Sequence, residues 1–335
     1  MRTAHVKTFG CKVNQHETTL MEDALLGQGY LLVSEREPAD LVVVNSCTVT
    51  HRADSDVRKA VRQALRRNPG TFVVVTGCFA QVSPAEVARQ EGIDLVLGNA
   101  EKLQLADHLP ADIQKRAVPE VQVGDIAQVR ELALPVAPQS GDRSRAFLKV
   151  QEGCHLRCAF CIVPIARGNE RSVPLEQVLA AVGQYHSRGY PEIVLTGVHL
   201  GGYGRDHGYA LADLVHAIDD QGLVRQRISS LEPMEVDAAF LGAVRGSRRV
   251  CRHFHLPLQA GSGAILRRMG RPYTVVQFDA ICAALKDWAP ETCIGTDIIV
   301  GFPGETEADF QATAEYLAEG PIDYAHLFPY SPREG

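Results

Sequence analysis

No stretch of the 335 residues approaches the roughly 18 consecutive apolar positions that a bilayer-spanning helix needs. Met1 to Gly10 (MRTAHVKTFG) has no apolar core of signal-peptide length either. The expected setting is therefore the cytoplasm, with no membrane partner. Positive charge is also short, since 34 Lys and Arg against 40 Asp and Glu give a formal −6. A protein that coats nucleic acid without preference is usually basic overall, so any nucleic-acid contact here must come from local patches. Compositional bias is missing as well: 45% hydrophobic and 22% charged residues exclude collagen-like, mucin-like and disordered chains. A chain of this length is expected to form about two domains.

Apolar runs at Ala4–Phe9, Leu41–Asn45, Phe72–Thr76 and Leu95–Leu97 read as strands. Segments with apolar residues at three- and four-residue steps separate them, at Glu17–Gln28, Ala53–Arg67 and Pro84–Gln90, the last with Ser83 as a candidate cap. Alternating strand and helix implies a mostly parallel sheet covered on both faces, so residues 1–132 are expected to form an open α/β domain. Residues 133–145 (ALPVAPQSGDRSR) have no apolar period and read as a linker. From 146 to 335 the alternation resumes, with strands expected at Ala146–Gln151, Glu192–Thr196, Arg227–Ser230, His253–Leu256, Ile294–Val300 and Ala325–Phe328. Six βα units in this space suggest an incomplete (β/α)6 barrel, because eight need about 250 residues. A doubly wound sheet is the competing architecture.

The nine cysteines are odd in number, and in a reducing compartment they fit metal or redox chemistry better than a disulfide framework. Cys11, Cys47 and Cys78 each follow an expected strand. Ligands of open α/β sheets gather at the carboxyl ends of strands, so three thiolates from distant segments can meet in one site. Alternatively, each is a small core residue, the common fate of a lone cysteine. Three in one topological position favour the shared site. Gly10 and Gly77, directly before two of them, supply turns in which backbone can approach a bulky ligand. Cys154, Cys158 and Cys161 (EGCHLRCAFC) form a C-x3-C-x2-C set on one loop. Three thiolates on an iron–sulfur cube leave one iron open to a small molecule. The alternative is structural zinc with His155 as fourth ligand. Cys251, Cys282 and Cys293 lack ligand spacing and read as core.

EGCHLRCAFCIVPIARGNERS resembles the cluster loop of radical S-adenosylmethionine (SAM) enzymes, and GCKVNQ, NSCTVT and GCFAQ are similar to the three cysteine segments of the methylthiotransferase family. The likeness continues through LTGVHLGGYG, RISSLEP, HFHLPLQAGS, TDIIVGFPGETEADF and HLFPYSPREG. GCKVNQ and LTGVHLGGYG are most similar to the branch acting on N6-threonylcarbamoyladenosine in tRNA. Branches that modify isopentenyladenosine or a ribosomal-protein side chain carry other residues after the first Gly-Cys.

The resemblance implies a transferase with two [4Fe-4S] clusters. Cys154, Cys158 and Cys161 would hold the one that binds SAM and, given an electron, cleaves it to a 5′-deoxyadenosyl radical. Cys11, Cys47 and Cys78 would hold an auxiliary cluster carrying the sulfur to be transferred to C2 of the modified adenine. An external electron donor and a sulfur donor are required, and the tRNA anticodon stem-loop is the expected partner. A non-catalytic iron–sulfur carrier is the reading from a different class. Phe160, Glu232 and Gln259 are candidate SAM contacts, the last two at carboxyl ends of expected barrel strands. Arg167 and Arg171 suit RNA phosphate or SAM carboxylate, with a salt bridge as the plain alternative. Arg58, Arg62 and Arg66, beside Lys59 and Arg67, make a basic helical stripe. Arg245, Arg248, Arg249, Arg252, Arg267, Arg268 and Arg271 make a second basic cluster. GFPGE at 301–305 lacks the Lys-Ser/Thr of a P-loop and reads as a strand-to-helix turn. Members of the family commonly continue into a small RNA-binding TRAM domain, which is expected to be absent from this chain.

Overall fold

The computed structural model describes residues 1–48, 51–132 and 144–333, with 51–54 by backbone only. Of the expected linker, 133–143 lie outside the described residues. The first half is a six-stranded sheet, in spatial order Leu31–Leu32, Thr3–Thr8, Leu41–Ser46, Phe72–Gly77, Leu95–Leu97 and Glu120–Gln122. Every pairing in it is parallel. Leu41–Ser46 and Phe72–Gly77 are buried along their whole length, which is why they read as unbroken apolar runs. Alternate residues feed the two faces: Val42, Val44, Val73 and Val75 pack on one side, Leu41, Val43, Phe72 and Val74 on the other. Two edge strands, Leu31–Leu32 and Glu120–Gln122, are too short to leave a pattern in the sequence.

Strand order runs outward in opposite directions from the pair Thr3–Thr8 and Leu41–Ser46. Such a reversal opens a crevice at the carboxyl ends of the two strands. Cys11 and Cys47 follow those two strands, and Cys78 follows the next one over.

The second half contains six parallel strands, Ala146–Lys149, Glu192–Thr196, Arg225–Ile228, His253–His255, Cys293–Val300 and Tyr324–Pro329. The first three pair with one another and the last three likewise, and the isolated parallel bridges Gln226–Val250 and Ser230–His255 join the two sets. A large apolar core fills the space between strands and helices, with Leu148, Leu195, Ile228, Phe254 and Ile294 all buried. The strand expected at 146–151 breaks at Val150, after which Gln151–Glu152 pairs antiparallel with Arg171–Ser172. This two-stranded ribbon pins both ends of the segment that carries the C-x3-C-x2-C cysteines.

The first helix begins at Lys12, five residues before its expected start. Its opening turns bury polar side chains, Asn14, His16 and Glu17, which breaks the apolar period. They are buried because the helix docks on the second half, where His16 Nδ1 meets the Phe147 carbonyl oxygen at 2.8 Å. Ser83 precedes the helix Pro84–Ala88 but forms no side-chain cap. No helix among the described residues is long and apolar enough to cross a membrane.

Candidate metal centres

The turns that place the N-terminal cysteines depend on glycine. Gly10 and Gly77 have φ of +94° and +92°, a region closed to most side chains. A Cβ on Gly10 would stand 2.9 Å from the Cys47 sulfur. One on Gly77 would stand 2.7 Å from both Asn45 Oδ1 and the Ser46 nitrogen. The residue before Cys11 is thus packed on Cys47, and the residue before Cys78 on the strand end that carries Cys47. Cys11 and Cys78 also sense one another electrostatically; Cys11 is exposed, Cys78 half-buried and Cys47 buried. The structure brings Cys11, Cys47 and Cys78 to one place.

In the second half, Cys154, Cys158 and Cys161 share one loop. The Cys154 amide donates to the Gly168 carbonyl at 3.1 Å and the Cys161 amide to the Cys158 carbonyl at 3.0 Å. Burial raises the Cys158 thiol, against the pull of Arg271, and pushes Cys161 up to about 12. His155 donates its ring to Glu170, at 2.7 Å, rather than turning toward the thiols as a fourth zinc ligand. Cys251 and Cys282 are buried, as expected of core residues, and Cys293 is half-buried.

Cations stand against the sulfurs of both sets. Arg271 Nη1 donates to Cys158 Sγ at 3.1 Å while the same guanidinium is held by Glu232. His199 contacts Cys154 and lies between Glu170 and Glu235. Burial alone favours the neutral ring, yet the contacts with Cys154, Glu170 and Glu235 raise His199 above its ordinary value. Arg167 Nε donates to Cys78 Sγ at 3.2 Å. Thiol donors beside fixed positive charge, on turns that admit no extra side-chain carbon, fit an anionic iron–sulfur cluster in each set.

Three cavities lie along the face where the Cys154–Cys161 loop meets the first domain. One of about 530 Å³ is walled by the Cys154–Cys161 loop, Tyr330 and Arg333. One of about 200 Å³ is lined by Phe160, Gln259, Asp297 and Tyr330. The third, about 620 Å³, lies beside Thr48 and Phe79 near the first set and is lined by Arg58 and Arg333. Ile162 borders all three. Cys154, Cys158 and Cys161 line this cleft directly, and the first set approaches it through Thr48 and Phe79, the chain neighbours of Cys47 and Cys78.

Several expectations need correction. Arg167 and Arg171 are 2% and 4% exposed. Arg167 is held by Glu17 and Glu152, and Arg171 by the carbonyls of Arg167 and Asn169, so neither is presented to RNA. Arg271 is buried against Cys158 and leaves the basic cluster. Arg245, Arg248, Arg249 and Arg252 precede the strand His253–His255, at the end of the barrel opposite the cysteine loop. Arg267 and Arg268 are exposed beyond that strand, Arg268 against the Gly304 carbonyl. Arg58, Arg62 and Arg66 are exposed along one helix, and of these Arg58 reaches the cleft, 2.5 Å from Glu86. Phe160 and Gln259 line the cleft, Gln259 with a φ of +74°, and Glu232 is tied to Arg271.

The reasoning from sequence missed Arg271 as a sulfur contact, and His199, Tyr330 and Arg333 altogether. It also missed Glu17, Lys102, Lys149 and Glu152, whose charges are buried together between the halves. Their one signal is a pair of ions, Lys149 and Glu152, in an otherwise apolar strand sequence.

Residues 3–98 match the family model described as uncharacterized protein family UPF0004, and residues 148–317 match the radical SAM superfamily. The threonylcarbamoyladenosine tRNA methylthiotransferase MtaB of Aquifex aeolicus is 42% identical over 98% of this chain and 80% of its own length. The chain belongs to that methylthiotransferase family. A tRNA-2-methylthio-N(6)-dimethylallyladenosine synthase of Pelotomaculum thermopropionicum is 32% identical over the whole chain and 76% of its own length. Among solved structures, the radical SAM methyltransferase TsrM of Kitasatospora setae, with cobalamin and a [4Fe-4S] cluster bound, superposes with a TM-score of 0.65. It is 15% identical, and the match covers 99% of this chain and 76% of that one. This likeness supports the fold: an open α/β domain followed by a partial barrel.

Proposed function

We propose that this chain is a radical SAM methylthiotransferase that adds a methylthio group to C2 of N6-threonylcarbamoyladenosine beside the anticodon of tRNA. The observation that carries the reading is the presence of two thiol sets on separate domains, one lining a cleft and the other next to the residues that form its wall, in a chain aligned nearly end to end with methylthiotransferases. Cys154, Cys158 and Cys161 would hold the cluster that binds SAM, and Cys11, Cys47 and Cys78 the auxiliary one. When bound, the two clusters and SAM supply one-electron C–H chemistry and the sulfur, which side chains alone do not provide. What the chain's own residues do is position and exclude. Phe160 and Gln259 line the cavity suited to SAM, and Arg271 fixes Glu232 beside it. Ile162 and Tyr330 wall the cleft beside the Cys154–Cys161 loop.

For RNA, Arg58 and Arg333 line the part of the cleft beside the auxiliary set, and Arg62 and Arg66 continue from Arg58 at helical steps on the outer face. A local basic approach of this kind suits a single-stranded loop on a protein that is acidic overall. The electron donor and sulfur donor come from outside the chain, in the cytoplasm.

The test is nucleoside analysis of tRNA from cells lacking the gene, with and without this chain restored. The 2-methylthio form of threonylcarbamoyladenosine should vanish and return. Unchanged nucleosides contradict the proposal, and loss of the methylthio-dimethylallyl form instead moves the substrate to the other branch. Cys158→Ala should abolish SAM cleavage. Cys47→Ala should leave 5′-deoxyadenosine formation while ending methylthio transfer.

A further inference from the structure

Arg167 belongs to the second half of the chain, at the end of the short helix Val163–Arg167, yet its guanidinium lies against a sulfur of the first half. Nε donates to Cys78 Sγ at 3.2 Å, Nη1 to Glu17 Oε1 at 2.7 Å, and the other amino group to Asn14 and Glu17. Around it Lys102 pairs with Glu17 at 2.5 Å, and Lys149 with Glu17 at 2.8 Å and Glu152 at 2.7 Å. All five side chains are buried.

Their charges do not cancel. Lys102, Lys149 and Arg167 face Glu17 and Glu152, and Arg171, also buried, adds a fourth cation beside Glu152, so positive charge exceeds negative by two in a dry interior. An uncompensated buried ion is strongly unfavourable. The unsatisfied field therefore calls for an anion, and the group that Arg167 meets on its remaining side is Cys78. A protonated thiol answers that field poorly, whereas a thiolate-ligated cluster answers it well.

We propose that Arg167 is a positioning residue for the auxiliary cluster. Lent by the barrel half, it donates to the Cys78 sulfur, sets a positive charge against the cluster and raises its reduction potential. Docking of the two halves thereby becomes a condition for the auxiliary site's redox state. The inference rests on Cys11, Cys47 and Cys78 being the auxiliary ligands. Hydrogen bonds to ligand sulfur and nearby charge are established levers on such potentials, because both favour the more negative, reduced state. Lysine cannot duplicate the fork of donors that reaches sulfur, carboxylate and amide together.

The experiment uses full-length protein with Cys154, Cys158 and Cys161 all replaced by alanine, so that only the auxiliary site can load. It is reconstituted anaerobically with iron and sulfide and titrated for its midpoint potential by electron paramagnetic resonance, beside versions carrying Arg167→Gln or Arg167→Lys. Arg167→Gln should move the midpoint to a more negative potential and alter the spectrum of the reduced cluster. Arg167→Lys should move it less. Arg167→Gln also removes hydrogen bonds to Glu17, Glu152 and Asn14, so the metal-free unfolding temperature of each variant is recorded beside the parent's. Equal midpoints in all three loaded proteins overturn the inference. Failure of both variants to load supports it if their metal-free unfolding temperatures match the parent's, and contradicts it if those temperatures fall. Failure of the parent to load overturns the ligand assignment itself, and the inference with it.

Discussion

Replacing Glu17 by glutamine removes the carboxylate that three buried cations share, and the expected damage can be worked from the contacts. Lys102, Arg167 and Lys149 lie 2.5, 2.7 and 2.8 Å from its oxygens. With an effective dielectric of about 20, each such pair attracts by about 6 kcal/mol before the cost of desolvation is subtracted. Breaking one partner out of a buried ion set has a net cost of about 3–5 kcal/mol, because the ions left behind remain dry. With Arg171 beside the set, Glu17→Gln raises the excess from two positive charges to three. At about 2 °C per kcal/mol the unfolding midpoint of the metal-free protein should fall by about 6–10 °C. Lys102→Met in the same chain returns the excess to two and should recover about half of that loss. A double-mutant cycle of denaturation midpoints, recorded anaerobically without metal, reads this directly. Glu17→Gln within about 0.5 kcal/mol of the parent, or strict additivity with Lys102→Met, would refute the charge argument.

Gly77→Ala should disrupt the auxiliary site, since the added carbon meets Asn45 and Ser46 from a φ of +92°; iron per chain should drop from about eight to about four. Arg271→Met should leave the half-buried Glu232 without its partner and lower the iron retained by the C-x3-C-x2-C loop, measured in protein lacking the N-terminal thiols. His16 is buried next to Lys149 and titrates at about 4 in the folded chain, below its ordinary 6.5. Between those values the unfolded chain binds the extra proton, so stability is full above pH 6.5 and falls by about 3 kcal/mol as pH drops to 4. Denaturation midpoints across that window should flatten in His16→Asn; an unchanged slope contradicts the assignment. Arg58→Ala should weaken tRNA binding and reduce the slope of log affinity against log salt by about one. An unaltered slope would remove Arg58 from the RNA path.

Central strands were the most legible feature of the sequence. Val42 to Val44 and Val73 to Val75 are apolar on both faces because both faces are covered, whereas barrel strands such as Arg225–Ile228 carry charge and were legible chiefly from their place in the strand–helix alternation. The start of the first helix was not legible, because Asn14, His16 and Glu17 face a partner surface more than a hundred residues away. Cysteine positions were readable because topology places the ends of parallel strands side by side. Charged residues were harder. Arg167, Arg171 and Arg271 read as surface groups available to RNA, since nothing local marks a buried cation whose counter-ions come from elsewhere in the chain. The basic cluster after Arg245 failed for a related reason: neighbours in sequence on either side of a barrel strand lie at opposite ends of the barrel.

The central claim is that the chain grips two clusters with two separate thiol sets. Its most direct measurement is iron and sulfide per chain after anaerobic reconstitution, for the parent and for two triple variants, one lacking Cys11, Cys47 and Cys78 and the other lacking Cys154, Cys158 and Cys161. The account predicts about eight irons for the parent and about four for each variant. Zinc in place of iron, or one triple variant that still holds the parent's full complement, would contradict it.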